Sequence, residues 1–254
     1  MESREPRHVT DRHVMVAIPA YTGTIKTATF RSLTYDLLVL FNYGWAITIV
    51  DDIGGAEIDT VRARIFGKFV ASNATDLVMV DNDVGWAPGG LVRLLEHDVD
   101  FVCGVYPKRE LPISFPFYPK NGAGKETPLV NGLIEAIAVP SGFMRITRKC
   151  ALAMVEAYSD LLMICSRLEH EDHPIWALFE HMYDEVEVDG KKYKKRTSED
   201  LSFCRRWVEI GGKIWIDPFI EMGHIGDYTY QGSLGSLKDN LSGDGTDNNN
   251  KGSA

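Results

Sequence analysis

Val78-Met79-Val80-Asp81-Asn82-Asp83-Val84-Gly85-Trp86 decides how this chain is read. An apolar run rich in β-branched residues stops at two carboxylates spaced two positions apart, with a glycine and an aromatic beyond. Alternate residues of an extended strand project to one side, so Asp81 and Asp83 converge on one point at the strand's end. Two hard oxygen donors beside an open loop suit a divalent cation that keeps positions free for phosphate oxygens. An Asx-rich turn capping a buried strand has the same appearance, and this stretch alone leaves both readings open.

Working outward, strand-like and helix-like segments alternate. His13 to Pro19 is an apolar run followed by Ala20-Tyr21-Thr22-Gly23. Leu33, Leu37, Leu38, Leu40 and Phe41 recur at helical spacing and end near Gly44, and Ala46 to Val50 is a second strand closed by Asp51-Asp52. Ile58, Val61, Ile65, Phe66, Phe69 and Val70 form a second helical stripe before the strand Leu77 to Val80. Pro88 stands where a first helical turn begins, ahead of Leu91, Leu94 and Leu95, and Phe101 to Tyr106 is a fourth strand. This alternation predicts an α/β fold with a mostly parallel sheet covered by helices on both faces. Ligands of such sheets bind at the carboxyl ends of the strands, where Tyr21, Asp51, Asp52, Asp81 and Asp83 all fall.

The second half is less regular. Residues 107–132 read as a long loop or hairpin region, and Glu135 to Thr147 as a strand interrupted by Pro140-Ser141-Gly142, leading into a helix near 149–158. Residues 166–198 are polar and read as a segment over a site, with Glu169-His170-Glu171-Asp172-His173 taken as solvated loop. Ser198 to Ile210 is an amphipathic helix, Lys213 to Ile216 a last strand, and Gly223-His224 a loop. The expected organisation is a single domain over 1–231, with halves at about 10–106 and 107–231, and a disordered polar tail over 232–254.

A formal charge of -9 argues against nucleic-acid and anionic-membrane binding, both of which need a basic excess. Cys103, Cys150, Cys165 and Cys204 show no CxxC pairing and read as small hydrophobes in a reducing compartment. No window approaches a membrane-spanning run and the first residues lack a signal-peptide core, so a cytoplasmic location is expected.

Taken in order, Val16-Ala17-Ile18-Pro19-Ala20-Tyr21, Ile49-Val50-Asp51-Asp52, Arg62-Ala63-Arg64, Val80-Asp81-Asn82-Asp83, Pro140-Ser141-Gly142-Phe143-Met144, Ser198-Glu199-Asp200 and Gly223-His224 resemble the GT-A class of nucleotide-sugar-dependent glycosyltransferases. The likeness covers roughly residues 13–230 and is nearest to family-2-like members of the compact bacterial, phage and large-virus kind. It implies a Rossmann-like, mostly parallel sheet flanked by helices, with a smaller acceptor-side mixed sheet. It also implies Mn²⁺ or Mg²⁺ held by Asp81, Asp83 and a late ligand, His224, against the diphosphate of a UDP-sugar. Pro19, Ala20, Tyr21, Asp51 or Asp52, Asn82, Arg62 and Arg64 fall where that class binds the nucleotide sugar. The arginines read equally well as the solvated face of the second helix. Asp200 matches the general base, with Glu199 as its partner, while Thr197-Ser198-Glu199-Asp200 is also a good helix start. Trp86, Tyr106, Ser141, Gly142 and Phe143 are placed on the sugar and acceptor side, Trp86 equally as packing beneath the metal loop. Lys108 and Arg109 read as a solvated basic turn.

The chain lacks the Asn-rich first loop of many family-2 members and the Q-x-x-R-W acceptor motif, which favours single addition over processive synthesis. Two other functions stay open: a sugar nucleotidyltransferase, which needs a Gly-rich phosphate loop that Pro19-Ala20-Tyr21-Thr22-Gly23 does not supply, and a non-catalytic sugar-nucleotide or carbohydrate-binding protein.

Overall fold

The computed structural model describes residues 11–122, 127–164, 173–226 and 228–236. The first half runs β1 (His13–Ala20), α1 (Thr27–Asn42), β2 (Ala46–Ile53), α2 (Ile58–Ala71), β3 (Asp76–Val80), β4 (Val84–Trp86), α3 (Gly90–Glu96) and β5 (Phe101–Cys103). Two short strands follow, β6 (Tyr118–Pro119) and β7 (Leu129–Val130), then β8 (Leu133–Ala138), β9 (Phe143–Thr147) and α4 (Arg148–Ala157). The chain continues through β10 (Leu162–Met163), β11 (Ile175–Trp176), the hairpin β12 (Tyr183–Val188) and β13 (Lys191–Arg196), and α5 (Glu199–Glu209). It closes with β14 (Ile214–Ile216), β15 (Met222–Ile225), β16 (Thr229–Gly232) and a 3-10 turn at Leu234–Ser236.

The expected α/β architecture is present. A nine-stranded sheet has the order β2-β1-β3-β9-β5-β14-β8-β6, with β7 also on β8. The pairs β1–β2, β1–β3 and β5–β14 are parallel. β9 lies antiparallel between β3 and β5, so the sheet is one-directional in most strands yet mixed in its pairings. The stretch read as one interrupted strand is therefore two strands with different neighbours: β8 pairs with β14, and β9 inserts into the middle of the sheet.

Every residue of β3 is buried, and strand alternation shares them between two cores. Leu77 and Met79 join Ile65, Phe66 and Phe69 of α2 and Phe203 of α5 on one face. Val78 and Val80 join Leu33 and Leu40 of α1 and Leu91 and Leu94 of α3 on the other. The amino end of the sheet is pinned by buried Asp76, which accepts from Arg145 at 2.7 Å, from Arg12 at 3.2 Å and from the Thr75 hydroxyl at 2.7 Å.

On the α1 face a second buried carboxylate, Asp36, meets no cation among its hydrogen-bonding partners. It accepts from the Trp86 indole at 2.9 Å and from the backbone N–H groups of Gly89 and Leu91 at 2.6 and 2.8 Å. α3 begins on Gly89, which has no side chain to cap it, so Asp36 supplies the capping carboxylate from another helix. Ser32, one turn earlier, donates to the Trp86 carbonyl at 2.7 Å and accepts from its N–H at 3.0 Å.

The segment expected to be a polar cover is partly a regular hairpin. Residues 165–172, including Cys165 and most of the His/Glu cluster, lie outside the described residues. Acidic β12 pairs with basic β13, Asp184 opposite Lys195, Glu185 opposite Lys194 and Glu187 opposite Lys192. A polar tail is expected from Gly232, but Leu234 is buried in the main core. Residues 237–254 lie outside the described residues. Among the described residues no helix is long and apolar enough to cross a membrane.

Replacing Asp36 with Ala leaves two buried N–H groups and one half-buried one without an acceptor. Asp36→Ala is expected to lower the free energy of unfolding by about 2–4 kcal/mol, read from urea denaturation followed by tryptophan fluorescence. A loss within error of zero would mean that Asp36 holds nothing in place.

Candidate functional site

Parallel strand direction brings the loops after β1, β2, β3 and β5 to one edge of the sheet, and the antiparallel β9 adds its own entry turn there. A cavity of about 410 Å³ opens at this edge. Its lining includes Pro19, Ala20, Tyr21, Asp52, Arg62, Asp81, Asn82, Asp83, Tyr106 and His224, all singled out from the sequence, together with Arg109, Ile58 and Val61.

Asp81 stands at the centre. Its carboxylate accepts from Arg62 at 3.0 Å and from the Tyr106 hydroxyl at 3.3 Å, while its backbone N–H donates to the Gly142 carbonyl at 2.9 Å. The last contact follows from the register of β9: Val80 pairs with Phe143, so Asp81 meets the residue before Phe143. A side chain at that position would crowd the site. A Cβ on Gly142 would lie 2.3 Å from Asp81 Oδ2 and 2.5 Å from the Tyr106 hydroxyl.

Asp83 is held by the small sheet β4-β15-β16. Val84 pairs with His224, and the Ile225 N–H donates to the Asp83 carbonyl at 2.8 Å. His224 Nδ1 lies 3.0 Å from the Pro107 carbonyl, and this contact sets Nδ1 as the protonated nitrogen. The lone pair of Nε2 then faces Asp83 Oδ1 at 3.6 Å. Burial, followed by the nearby Arg109 charge, lowers the His224 pKa against the pull of Asp83, which favours the neutral ring. Arg109 pairs with Asp83 and donates to the Ile225 carbonyl at 3.1 Å. It lines the cavity while staying exposed, as a basic turn was expected to be, and only its position just past β5 hinted at the first of these in the sequence.

The two arginines of α2 are not a solvated face. Arg64 forks Asp52 with bonds of 2.8 and 2.5 Å. Arg62 is 4 % exposed, and only its Nη2 has a protein partner; Nε and Nη1 are buried with no hydrogen bond. Burial pulls this guanidinium down, but Asp81, Glu199, Tyr106 and Asp200 together leave its pKa above the ordinary value, so it is charged. Burial and Asp81 push the Tyr106 phenol well up, which keeps it a donor.

Tyr21 is 64 % exposed at the rim, and its carbonyl accepts from Gly54 N–H at 3.1 Å, joining the first two loops. Asn82 braces the same loop by donating to the Thr24 carbonyl and accepting from Lys26 N–H, each at 2.8 Å. Asp51 alternates to the other face of β2, where it is exposed, and is absent from the cavity lining. Two residues placed on the sugar side are core residues instead. Phe143 is fully buried and Trp86 nearly so, their rings packing at 4.4 Å, because both face the α1 core and Asp36 holds the indole. Ser141 is buried with its hydroxyl unpartnered.

Glu199 and Asp200 open α5 and are also absent from the cavity lining, yet their charges reach Arg62. Ser198 caps no backbone group; its hydroxyl donates to Asp200 instead. His181, which drew no notice in the sequence, lies 3.4 Å from Asp59 at the start of α2 and 4.0 Å from Glu199, with Arg196 donating to its Nε2 at 2.6 Å.

Among the described residues no three His, Cys, Asp or Glu side chains are grouped to hold a metal ion. The donor set Asp81, Asp83 and His224 is of the right chemistry for Mn²⁺ or Mg²⁺, but Arg62 and Arg109 now neutralise its two acids. The three buried thiols offer no substitute, and burial pushes that of Cys204 up to about 12.

No protein-family model and no curated protein matches this chain. Among solved structures it is similar to A197 from STIV, with a TM-score of 0.53 and 15 % identity, covering 94 % of this chain and 98 % of that one. It is also similar to GalNAc-T7 with UDP, GalNAc and Mn²⁺, with a TM-score of 0.44 and 11 % identity over 84 % of this chain and 44 % of that one. At these identities the likeness to A197 concerns the fold alone, and it extends over nearly the full length of both chains.

Gly142→Ala is expected to cost about 1–3 kcal/mol in urea unfolding through overpacking against Asp81 and Tyr106. Adding Tyr106→Phe removes one of the clashing atoms, so the double variant should recover part of that loss relative to Tyr106→Phe alone. Strict additivity in this double-mutant cycle would separate Gly142 from the Asp81–Tyr106 contact.

Proposed function

We propose that this protein is a glycosyltransferase that moves a sugar from a nucleoside-diphosphate sugar, UDP-linked in the first instance, to an acceptor hydroxyl with the help of Mn²⁺ or Mg²⁺. The observation that carries the reading is Arg62. A charged guanidinium has been buried at a cavity wall with two of its three nitrogens unpartnered. Burying a guanidinium so incompletely paired is costly, and the positive charge it keeps at the cavity wall favours an anionic ligand such as phosphate. The paired acids Asp81 and Asp83, beside neutral His224, are a plausible seat for the cation that accompanies a diphosphate.

In this reading the cation, when bound, neutralises the charge that grows on the diphosphate as the sugar–phosphate bond breaks. Arg62 binds the same oxygens. The exposed Tyr21 ring stacks on the base, and Asp52, oriented by Arg64, accepts from a base N–H. Asp200, held by Ser198, takes the proton of the acceptor hydroxyl, with Glu199 beside it. Pro19, Ala20 and Asn82 shape the nucleotide-facing rim, and Tyr106, Ser141 and Gly142 the floor beneath the sugar. The protein works as one domain that reaches at least Leu234, in a cytoplasmic setting.

A thermal-shift panel of UDP- and GDP-sugars with and without Mn²⁺ tests binding first. A ligand at a hundredfold excess over Kd should add about 2.7 kcal/mol of stability. Silence across the panel, with no acceptor-independent hydrolysis of the donor, would overturn the proposal. Pyrophosphate release from a nucleoside triphosphate and a sugar phosphate would assign nucleotidyl transfer instead. Arg62→Met should weaken donor binding roughly 10- to 100-fold, the worth of charged hydrogen bonds of about 1.5–3 kcal/mol, while the protein stays folded. Asp200→Asn should bind the donor normally and lose at least about a hundredfold in transfer rate, the low end of general-base contributions. Near-normal transfer by that variant would remove Asp200 from the base role.

A further inference from the structure

β2 is the outermost strand of the nine-stranded sheet. All eight of its residues pair with β1, and among the described residues nothing pairs with its other edge. Soluble proteins blunt such edges with short strands, Pro, Lys or bulges. Ala46-Ile47-Thr48-Ile49-Val50-Asp51-Asp52-Ile53 has none of these; its charges, Asp51 and Asp52, stand at its carboxyl end and leave 46–50 uncharged. Ile47 packs against the α1-side core, so by strand alternation Ile49 and Ile53 share the face on which α1 lies, and each is 59 % exposed.

α1 itself carries more apolar surface than its core contact uses. Its buried side is Thr29, Ser32, Leu33, Asp36 and Leu40. Phe30 and Leu38, on a different side, are exposed, as is Tyr43 just past its end. Five large apolar side chains, at about 200 Å² each, thus leave on the order of 500 Å² uncovered on β2 and α1. A stable dimer buries about 800 Å² per partner, of which roughly 65 % is apolar in homodimers. The two areas agree.

We infer that this protein forms a two-fold symmetric dimer in which β2 pairs antiparallel with β2 of a second copy and the outer faces of the two α1 helices close over the junction. The occupant must be a strand, because the free N–H and C=O groups of β2 need partners that a lipid surface cannot offer. A strand edge beside an apolar helix is also what this surface presents to itself, the condition for an isologous contact. Charge excludes registers centred on Asp51 or Asp52, and apolar contact favours the exposed Ile49 at the axis. Centring the axis on Ile49 places Ile49 against its own copy, Ile47 against Asp51, Thr48 against Val50 and Ala46 against Asp52, with no acid opposite an acid. Centring it on Asp51 would oppose two carboxylates. With the axis at Ile49 the two cavities lie toward opposite ends of the joined strands, and the contact does not depend on the proposed activity.

Sedimentation velocity and light scattering on the full chain should give twice the chain mass. Ile49→Lys and Leu38→Glu, one on the strand and one on the helix surface, should each give monomers with unchanged circular dichroism and melting behaviour. Should either variant fail to fold, Ile49→Cys provides an independent readout. Opposed Cβ atoms lie about 4.5–5.5 Å apart, near disulfide reach, so mild oxidation should give a cross-linked dimer that wild type does not. A wild-type protein that stays monomeric at every concentration, or an Ile49→Cys variant that oxidises without cross-linking, would overturn the inference. So would a monomer that floats with phosphatidylcholine–phosphatidylglycerol vesicles, which would make lipid the occupant of this face.

Discussion

A buried carboxylate without a counter-cation holds the working edge of this protein in place. Asp36 is satisfied entirely by N–H groups: the Trp86 indole, Gly89 and Leu91. Those donors belong to the chain immediately after Asp81 and Asp83, so α1 grips the far end of the acid-bearing loop. Ser32 fastens the backbone of Trp86 from the next turn. With β3 fixed in the core on one side and Trp86 fixed on the other, the residues between them have little freedom. The same anchoring seats β4, and through β4 the strand that carries His224.

Charge in the cavity is organised in pairs. Arg62 meets Asp81, Arg64 meets Asp52 and Arg109 meets Asp83, so no acid faces the cavity bare. The three pairs are not equivalent. Arg64 uses a fork and leaves Asp52 fixed, whereas Arg62 spends one nitrogen on Asp81 and keeps two in reserve. Arg109 sits on a loop with a partly exposed side chain, the easiest of the three to displace. A cation at Asp81 and Asp83, as proposed above, would compete with Arg62 and Arg109 for these acids.

Much of this was legible in the residues. Continuous apolar runs mark β1 and β3, which are buried on both faces, and a 3.6-residue period marks the helices between the first three strands. The acids at strand ends were found for the same reason. Other features left no such trace. β8 and β9 look like one broken strand, since a Pro-Ser-Gly turn does not reveal which neighbours its flanks choose. The hairpin of β12 and β13 has little apolar alternation; cross-strand charge pairs support it, and only Asp189-Gly190 signalled a turn. Trp86 and Phe143 have side chains suited to a sugar site, and their burial depends on a partner, Asp36, that lies 50 residues away from Trp86. The state of Arg62 could not be read from a pattern at all, because surface and buried arginines have the same helical spacing.

The insertion of β9 also has a consequence for how the chain is made. β1, β2 and β3 connect through neighbouring helices and can assemble from local sequence. β5 cannot join them directly, because its place beside β3 is taken by β9, some 40 residues further on, and its other neighbour, β14, comes more than 100 residues later. Contacts between distant segments form slowly. During synthesis the edge of β3 therefore waits for chain not yet translated, a window in which apolar strands are exposed to misassembly. The residue that completes the Asp81 environment, Gly142, arrives on the turn that opens β9, so the cavity can take shape only after that late strand has threaded into the sheet.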